Sequence, residues 1–174
     1  MRSVLISITA AVSLYGSGIT LPDHFKADFM QKITNARKKA ISYSGKVYFS
    51  SPGLMKWMYV KPTKKEVCTD GKALTVVDHD LEQVSTYRMA EGFNLKEIID
   101  SAKVHSKNIY VAQYRGKSYT IQTDNRGRLQ SVAYYDELDN KVQIVFKNIH
   151  YGKGALGMQN MICSYPKDYD EIRG

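Results

Sequence analysis

A chain of 174 residues, 43% apolar and 24% charged, fits one globular domain and excludes both a disordered tail and a bundle of membrane helices. Its 25 Lys and Arg against 17 Asp and Glu give a net charge of +8, which suits an anionic lipid surface, nucleic acid or plain solubility. A domain of this size can bury a core without disulfide staples.

The first residues have the form of an export signal. Arg2 precedes an apolar run over 4–14, and the small residues Gly16, Ser17 and Gly18 follow it. The run is shorter than the roughly 20 apolar residues that span a bilayer, and cleavage after Gly18 is expected. This divides the chain into a signal peptide, 1–18, and a single domain, 19–174. Outside the cytoplasm the positive charge points to a membrane face or to simple solubility, and away from nucleic acid. The first cysteine is Cys68, so no lipid-anchoring cysteine follows the apolar run.

Over 22–40 the spacing predicts a helix: Phe25, Phe29 and Ile33 recur every fourth residue, opposite Lys26, Lys32 and Lys39. Pro22 suits its first turn. Period two then takes over, predicting strands over 41–49, 54–60, 65–69, 73–78 and 82–89. Ser51-Pro52-Gly53 and Asp70-Gly71 supply turns. Asn94 is a helix N-cap type, and Leu95, Ile98, Ile99 and Ala102 follow at helical spacing. Further strands are expected over 109–114, 118–123, 129–136 and 142–149, with a last one over 158–165 after Gly152, Gly154 and Gly157. Short consecutive strands with tight turns make an antiparallel meander. The fold class is therefore α+β, mainly β: one curved sheet, partly closed, with two helices against one face.

Catalytic patterns are absent from the sequence. There is no Gly-x-Ser-x-Gly elbow, phosphate loop, His-Glu-x-x-His or Cys-x-x-Cys, so neither an enzyme nor a cofactor or metal is expected. His79, between Asp78 and Asp80, reads as a solvated turn more than as a metal site. Cys68 and Cys163 either stay free or close one long loop, a bond worth about 4 kcal/mol on the chain-entropy model. The soft apolar run is more informative. Met55, Trp57 and Tyr59 share one face of a strand, as an ordinary core strand or as a surface that adapts to an irregular ligand.

These residues resemble the outer-membrane lipoprotein carrier family. The likeness runs through Phe29-Met30-Gln31-Lys32-Ile33, Gly45-Lys46-Val47-Tyr48-Phe49-Ser50-Ser51-Pro52 and Leu54-Met55-Lys56-Trp57. It continues in Val67-Cys68-Thr69-Asp70-Gly71-Lys72-Ala73-Leu74, Leu81-Glu82-Gln83-Val84 and Cys163-Ser164-Tyr165-Pro166. Over 91–157 it holds in element order more than in residues.

The resemblance implies an incomplete barrel of about eleven strands, with a lid of two or three helices over a hydrophobic cavity. It also implies a monomeric periplasmic carrier of lipoprotein acyl chains. An inner-membrane ABC transporter would release its cargo, and the outer membrane, with a receptor there, would take it. Met55 matches an apolar residue at the family's cavity mouth, and Trp57 matches the tryptophan beside it. Strand parity and helix faces assign Val47, Phe49, Met55, Trp57, Leu74, Val76, Ile98 and Ile99 to the cavity, while Phe25, Phe29 and Ile33 fasten the first helix to the sheet. One departure is Ser51, which stands where the family has the arginine linking barrel to lid; Arg37, Lys38 and Lys56 are the cations at hand to replace it. A lipid- or lipoprotein-sensing regulatory module of related fold is the alternative reading. An exported hydrolase would require a polar pair inside the cavity.

Overall fold

The computed structural model describes residues 18–89 and 95–173, so the expected leader, apart from Gly18, and the expected cap Asn94 lie outside the described residues. Among the described residues twelve strands form one open, curved sheet. In chain order they are β1 (His24–Thr34), β2 (Ala40–Ser50), β3 (Leu54–Lys61), β4 (Lys65–Thr69), β5 (Ala73–Asp78) and β6 (Gln83–Arg88). After the helix α1 (Leu95–Asp100) come β7 (Lys103–Ser106), β8 (Ile109–Tyr114), β9 (Lys117–Thr123), β10 (Leu129–Tyr135), β11 (Lys141–Gly152) and β12 (Asp170–Arg173). The order across the sheet is β12-β6-β5-β4-β3-β2-β1-β11-β10-β9-β8-β7. Neighbours are antiparallel except β12, which lies parallel to β6.

The expected first helix is a strand. Residues 22–40 contribute β1, which pairs with β2 on one side and β11 on the other. A four-residue spacing satisfies a helix, but it is also twice two, and so fits a strand equally. Ala27 decides the matter: it sits midway between Phe25 and Phe29 and is buried with them, while Lys26, Met30 and Lys32 point outward. Phe25, Phe29 and Ile33 are thus inner-face strand residues and fasten no helix. Two flanking strands satisfy the backbone of β1 and its aromatic side chains pack across both, so tertiary pairing overrides the helical reading. Among the described residues α1 is the one α-helix, and a lid of two or three helices is not formed. It packs beside β8 and sends Ile98 and Ile99 into the core.

The C-terminal segment departs from expectation as well. Residues 158–165 form no strand; a short 3-10 turn, Met158–Asn160, leads into an irregular strap across the back of β3–β5. Backbone groups that would have needed a ladder find side chains instead. Leu156 N–H donates to Ser50 Oγ at 3.0 Å, the Ile162 carbonyl accepts from Lys56 Nζ at 2.9 Å, and Ser164 N–H donates to Glu66 Oε2 at 3.0 Å. Cys163 is bonded to Cys68, with Cα atoms 5.6 Å apart, and Met161 is buried beneath the strap. Past the strap, β12 adds to the edge at β6. Neither β12 nor β7 has a readable alternation, since all four residues of β7 are exposed.

Candidate functional site

Register builds one continuous inner face from residues scattered in sequence. Phe25, Phe49, Met55, Thr69, Leu74 and Tyr87 stand opposite one another across β1–β6. The next row is Ala27, Val47, Trp57, Val67, Val76 and Ser85, and the third is Phe29, Gly45, Tyr59, Lys65, Asp78 and Gln83. This face is the concave one, because its side chains meet across strands that are not neighbours. Trp57 of β3 lies 6.3 Å from Phe146 of β11, with β2 and β1 between them.

Burial grades along the rows. Val47 and Phe49 are inaccessible, and Met55, Ile98 and Ile99 nearly so. The centre is closed, with Phe29 against Trp57 at 4.8 Å and Phe25 on Phe49 at 5.3 Å. Toward β6 the same rows open. Trp57, Val67, Leu74 and Val76 are half-buried, and Tyr87 is 46% exposed. Of the eight residues assigned from sequence, the strand members Val47, Phe49, Met55, Trp57, Leu74 and Val76 all lie on this face, and Ile98 and Ile99 join its core from α1. Val67 was missed because β4 alternates Lys65, Val67 and Thr69 with Glu66 and Cys68, leaving neither side cleanly apolar. Its place between Trp57 and Val76 in the register is the signal that would have found it.

Along the strands the face changes character. Two residues beyond Trp57, Tyr59 packs edge-on against Phe29 at 5.1 Å and against Tyr43 at 5.7 Å. Across the concavity Tyr119 of β9 lies 5.4 Å from Tyr134 of β10. Burial pushes the Tyr59 hydroxyl well above its ordinary titration range, with Tyr134 and then Tyr43 adding to the effect. Burial also raises Tyr134, with Tyr119 contributing. In the third row a charged pair joins Lys65 Nζ to Asp78 Oδ2 at 2.9 Å. Burial works against the Asp78 carboxylate, but the Lys65 bond and charge prevail and hold it below the usual range.

The opposite face carries the polar chemistry, and it is structural. Lys56 and Glu66, both nearly buried, pair at 3.0 Å beneath the strap. Lys56 therefore holds the C-terminal segment on the back of the sheet, away from α1, and Ser51 contributes a backbone N–H to Asp23 O at 2.8 Å. His79 lies 3.2 Å from Tyr169 Oη and 3.9 Å from Glu66 Oε1, while Asp78 and Asp80 are engaged by Lys65 and by backbone N–H groups. Glu66, Cys68 and Cys163 converge, but both sulfurs are in the disulfide and offer no thiolate to a metal. Clefts of about 420 Å³ and 270 Å³ open on this back face, beside Lys26 and Tyr48.

Comparison with known proteins agrees with this architecture. The family model described as "Outer membrane lipoprotein carrier protein LolA" matches residues 22–99. An outer-membrane lipoprotein carrier protein of Wolinella succinogenes is 34% identical over 124 residues, 71% of this chain and 72% of that one. One from Campylobacter jejuni is 33% identical over 149 residues, 86% of each chain. Among solved structures, an uncharacterized conserved protein of Thermus thermophilus shares the fold at a TM-score of 0.55 and 12% identity, over 88% of this chain and 92% of its own. Sequence likeness, sheet architecture and the apolar concave face converge on one assignment: this chain belongs to the outer-membrane lipoprotein carrier protein family.

Proposed function

We propose that the protein carries lipid-modified proteins through the periplasm by seating their acyl chains on the concave face, receiving them from an inner-membrane ABC transporter and releasing them at the outer membrane. The observation that carries this reading is the half-buried apolar strip of Trp57, Val67, Leu74 and Val76, which runs into the buried core. Each methylene withdrawn from water is worth about 0.8 kcal/mol, so an acyl chain in transit needs such a surface. Release is as necessary as capture. An open strip at the β4–β6 side gives first contact, and separation of the short helix α1 from β8 exposes Ile98 and Ile99 for deeper seating. Family membership supports a carrier and no catalysis.

The test is to incubate the purified protein with membranes that contain a labelled lipoprotein and the releasing transporter. Soluble complexes of one carrier with one lipoprotein are expected. Labelled lipoprotein that stays wholly with the membrane would overturn the proposal.

A further inference from the structure

The charge of this chain is concentrated. No acidic residue lies between Asp28 and Glu66, where nine of the 25 Lys and Arg are found; the other 16 face 17 Asp and Glu. That one stretch therefore supplies the whole positive excess. Three of its cations are paired, Lys46 with Asp28, Lys56 with Glu66 and Lys65 with Asp78. The other six, Lys32, Arg37, Lys38, Lys39, Lys61 and Lys64, are exposed, and among the described residues no carboxylate pairs with them. Register gathers them at one end of the sheet. Lys32 stands near the end of β1, Arg37, Lys38 and Lys39 form the β1–β2 turn, and Lys61 and Lys64 bracket the β3–β4 turn beside it. β3 stops opposite Ser44, so residues 40–43 carry the β1–β2 hairpin roughly 14 Å past it. The projecting turn is well fixed. The Asn35 carbonyl accepts from Lys38 N–H at 2.9 Å, its side chain accepts from Lys39 N–H at 3.0 Å, and its own N–H donates to the Lys39 carbonyl at 3.0 Å. Ile41 and Val60, 45% and 55% exposed, flank the cations. On the other side of β1 the β10–β11 turn is acidic, with Asp136, Glu137 and Asp139.

We propose that the β1–β2 and β3–β4 turns dock the protein on the surface of an anionic phospholipid bilayer. A lipid surface demands charge and no fixed shape, which a pair of projecting turns supplies. A protein partner is held by side chains sunk into pockets, whereas all six cations stand out from the surface. Once charge has brought the turns near, Ile41 and Val60 reach the boundary between head groups and acyl chains. Docking also sets an orientation. The basic turns are drawn to the lipid and the acidic β10–β11 turn is repelled, so the end of the concave face that holds Tyr43 and Tyr59 turns toward the bilayer. The assignment concerns where the protein docks and stands without the carrier reading, which concerns what it holds.

The test is flotation of the protein, purified after export, with vesicles of phosphatidylethanolamine and phosphatidylglycerol or of phosphatidylcholine alone, none containing lipoprotein. The wild type is expected on the anionic vesicles in low salt, released by about 0.5 M salt through screening, and absent from the neutral ones. Arg37→Gln, Lys38→Asn and Lys39→Gln combined should weaken binding about a hundredfold, at roughly fivefold per cation. Asparagine suits position 38, where φ is 60°. Lys107→Gln, Lys153→Gln and Lys167→Gln combined remove the same charge elsewhere and should weaken binding by less than about threefold. Equal losses in the two triple variants would overturn the assignment to these turns. So would a wild type that floats equally with both kinds of vesicle or with neither, and this arm needs no variant to fold. Capture of the wild type by polyglutamate with none by vesicles would mark a protein partner and likewise overturn it. None of these results bears on acyl-chain binding, which the lipoprotein assay reads separately.

Discussion

Lys56→Met isolates the grip of the C-terminal strap. In the folded protein Lys56 Nζ makes two contacts, 3.0 Å to Glu66 Oε2 and 2.9 Å to the Ile162 carbonyl, with both side chains about 10% exposed (10% and 11%). Solvent screens such a pair little. Removing the ammonium leaves the Glu66 carboxylate with the Ser164 N–H and with His79 at 3.9 Å, an under-compensated buried charge. Breaking a buried pair this way costs roughly 3–5 kcal/mol, and the surviving N–H bond argues for the lower end, about 3 kcal/mol. At a urea slope of about 2 kcal/mol per molar the denaturation midpoint should fall by about 1.5 M with the slope unchanged. Lys56→Met combined with Glu66→Leu removes both charges and should recover most of the loss, since an apolar replacement of a buried pair is near neutral. A midpoint shift below about 0.3 M for Lys56→Met would refute the argument, as would a double variant less stable than the sum of the singles.

Cys68→Ser with Cys163→Ser opens a loop spanning 95 residues and should cost about 4–5 kcal/mol on the chain-entropy model, read as the difference in urea midpoint from the oxidised wild type. Val76→Glu places a carboxylate on the half-buried strip; lipoprotein capture should drop at least tenfold while urea stability falls by no more than about 1.5 kcal/mol, and undiminished capture would remove Val76 from the acyl face. Acid should loosen the β9–β10 and β10–β11 turns. Backbone N–H groups of Arg128 and Arg126, with the Arg128 side chain, hold Asp124 below its ordinary range; Asn140, through its side chain and then its N–H, does the same for Asp136. A lowered folded value means the stabilisation is complete above the unfolded value of about 3.9 and is lost as pH falls through the folded one. Thermal melts of the wild type should therefore steepen in their pH dependence below about pH 4, and Asp124→Asn with Asp136→Asn should flatten that slope.

The amino-acid pattern alone determined most of the strands, most of the turns between them and the parity of the concave face. Alternation is a local property, and Val47, Phe49, Met55 and Trp57 declare which side they share before any partner strand is known. Asp70-Gly71 likewise announces its hairpin, with Gly71 at φ 88° and Asp70 Oδ1 accepting from Lys72 and Ala73 N–H. Only the tertiary structure decided the rest, for a physical reason in each case. Phe25, Phe29 and Ile33 are spaced for a helix and a strand alike, and pairing with β2 and β11 chooses the strand. Residues 158–165 carry strand-like side chains, yet the disulfide to Cys68 and the Lys56–Glu66 pair draw that backbone across the back of the sheet. Which apolar residues are sealed and which are half-open depends on curvature. That curvature sets Trp57 against Phe146, a contact between strands that no local period can foretell.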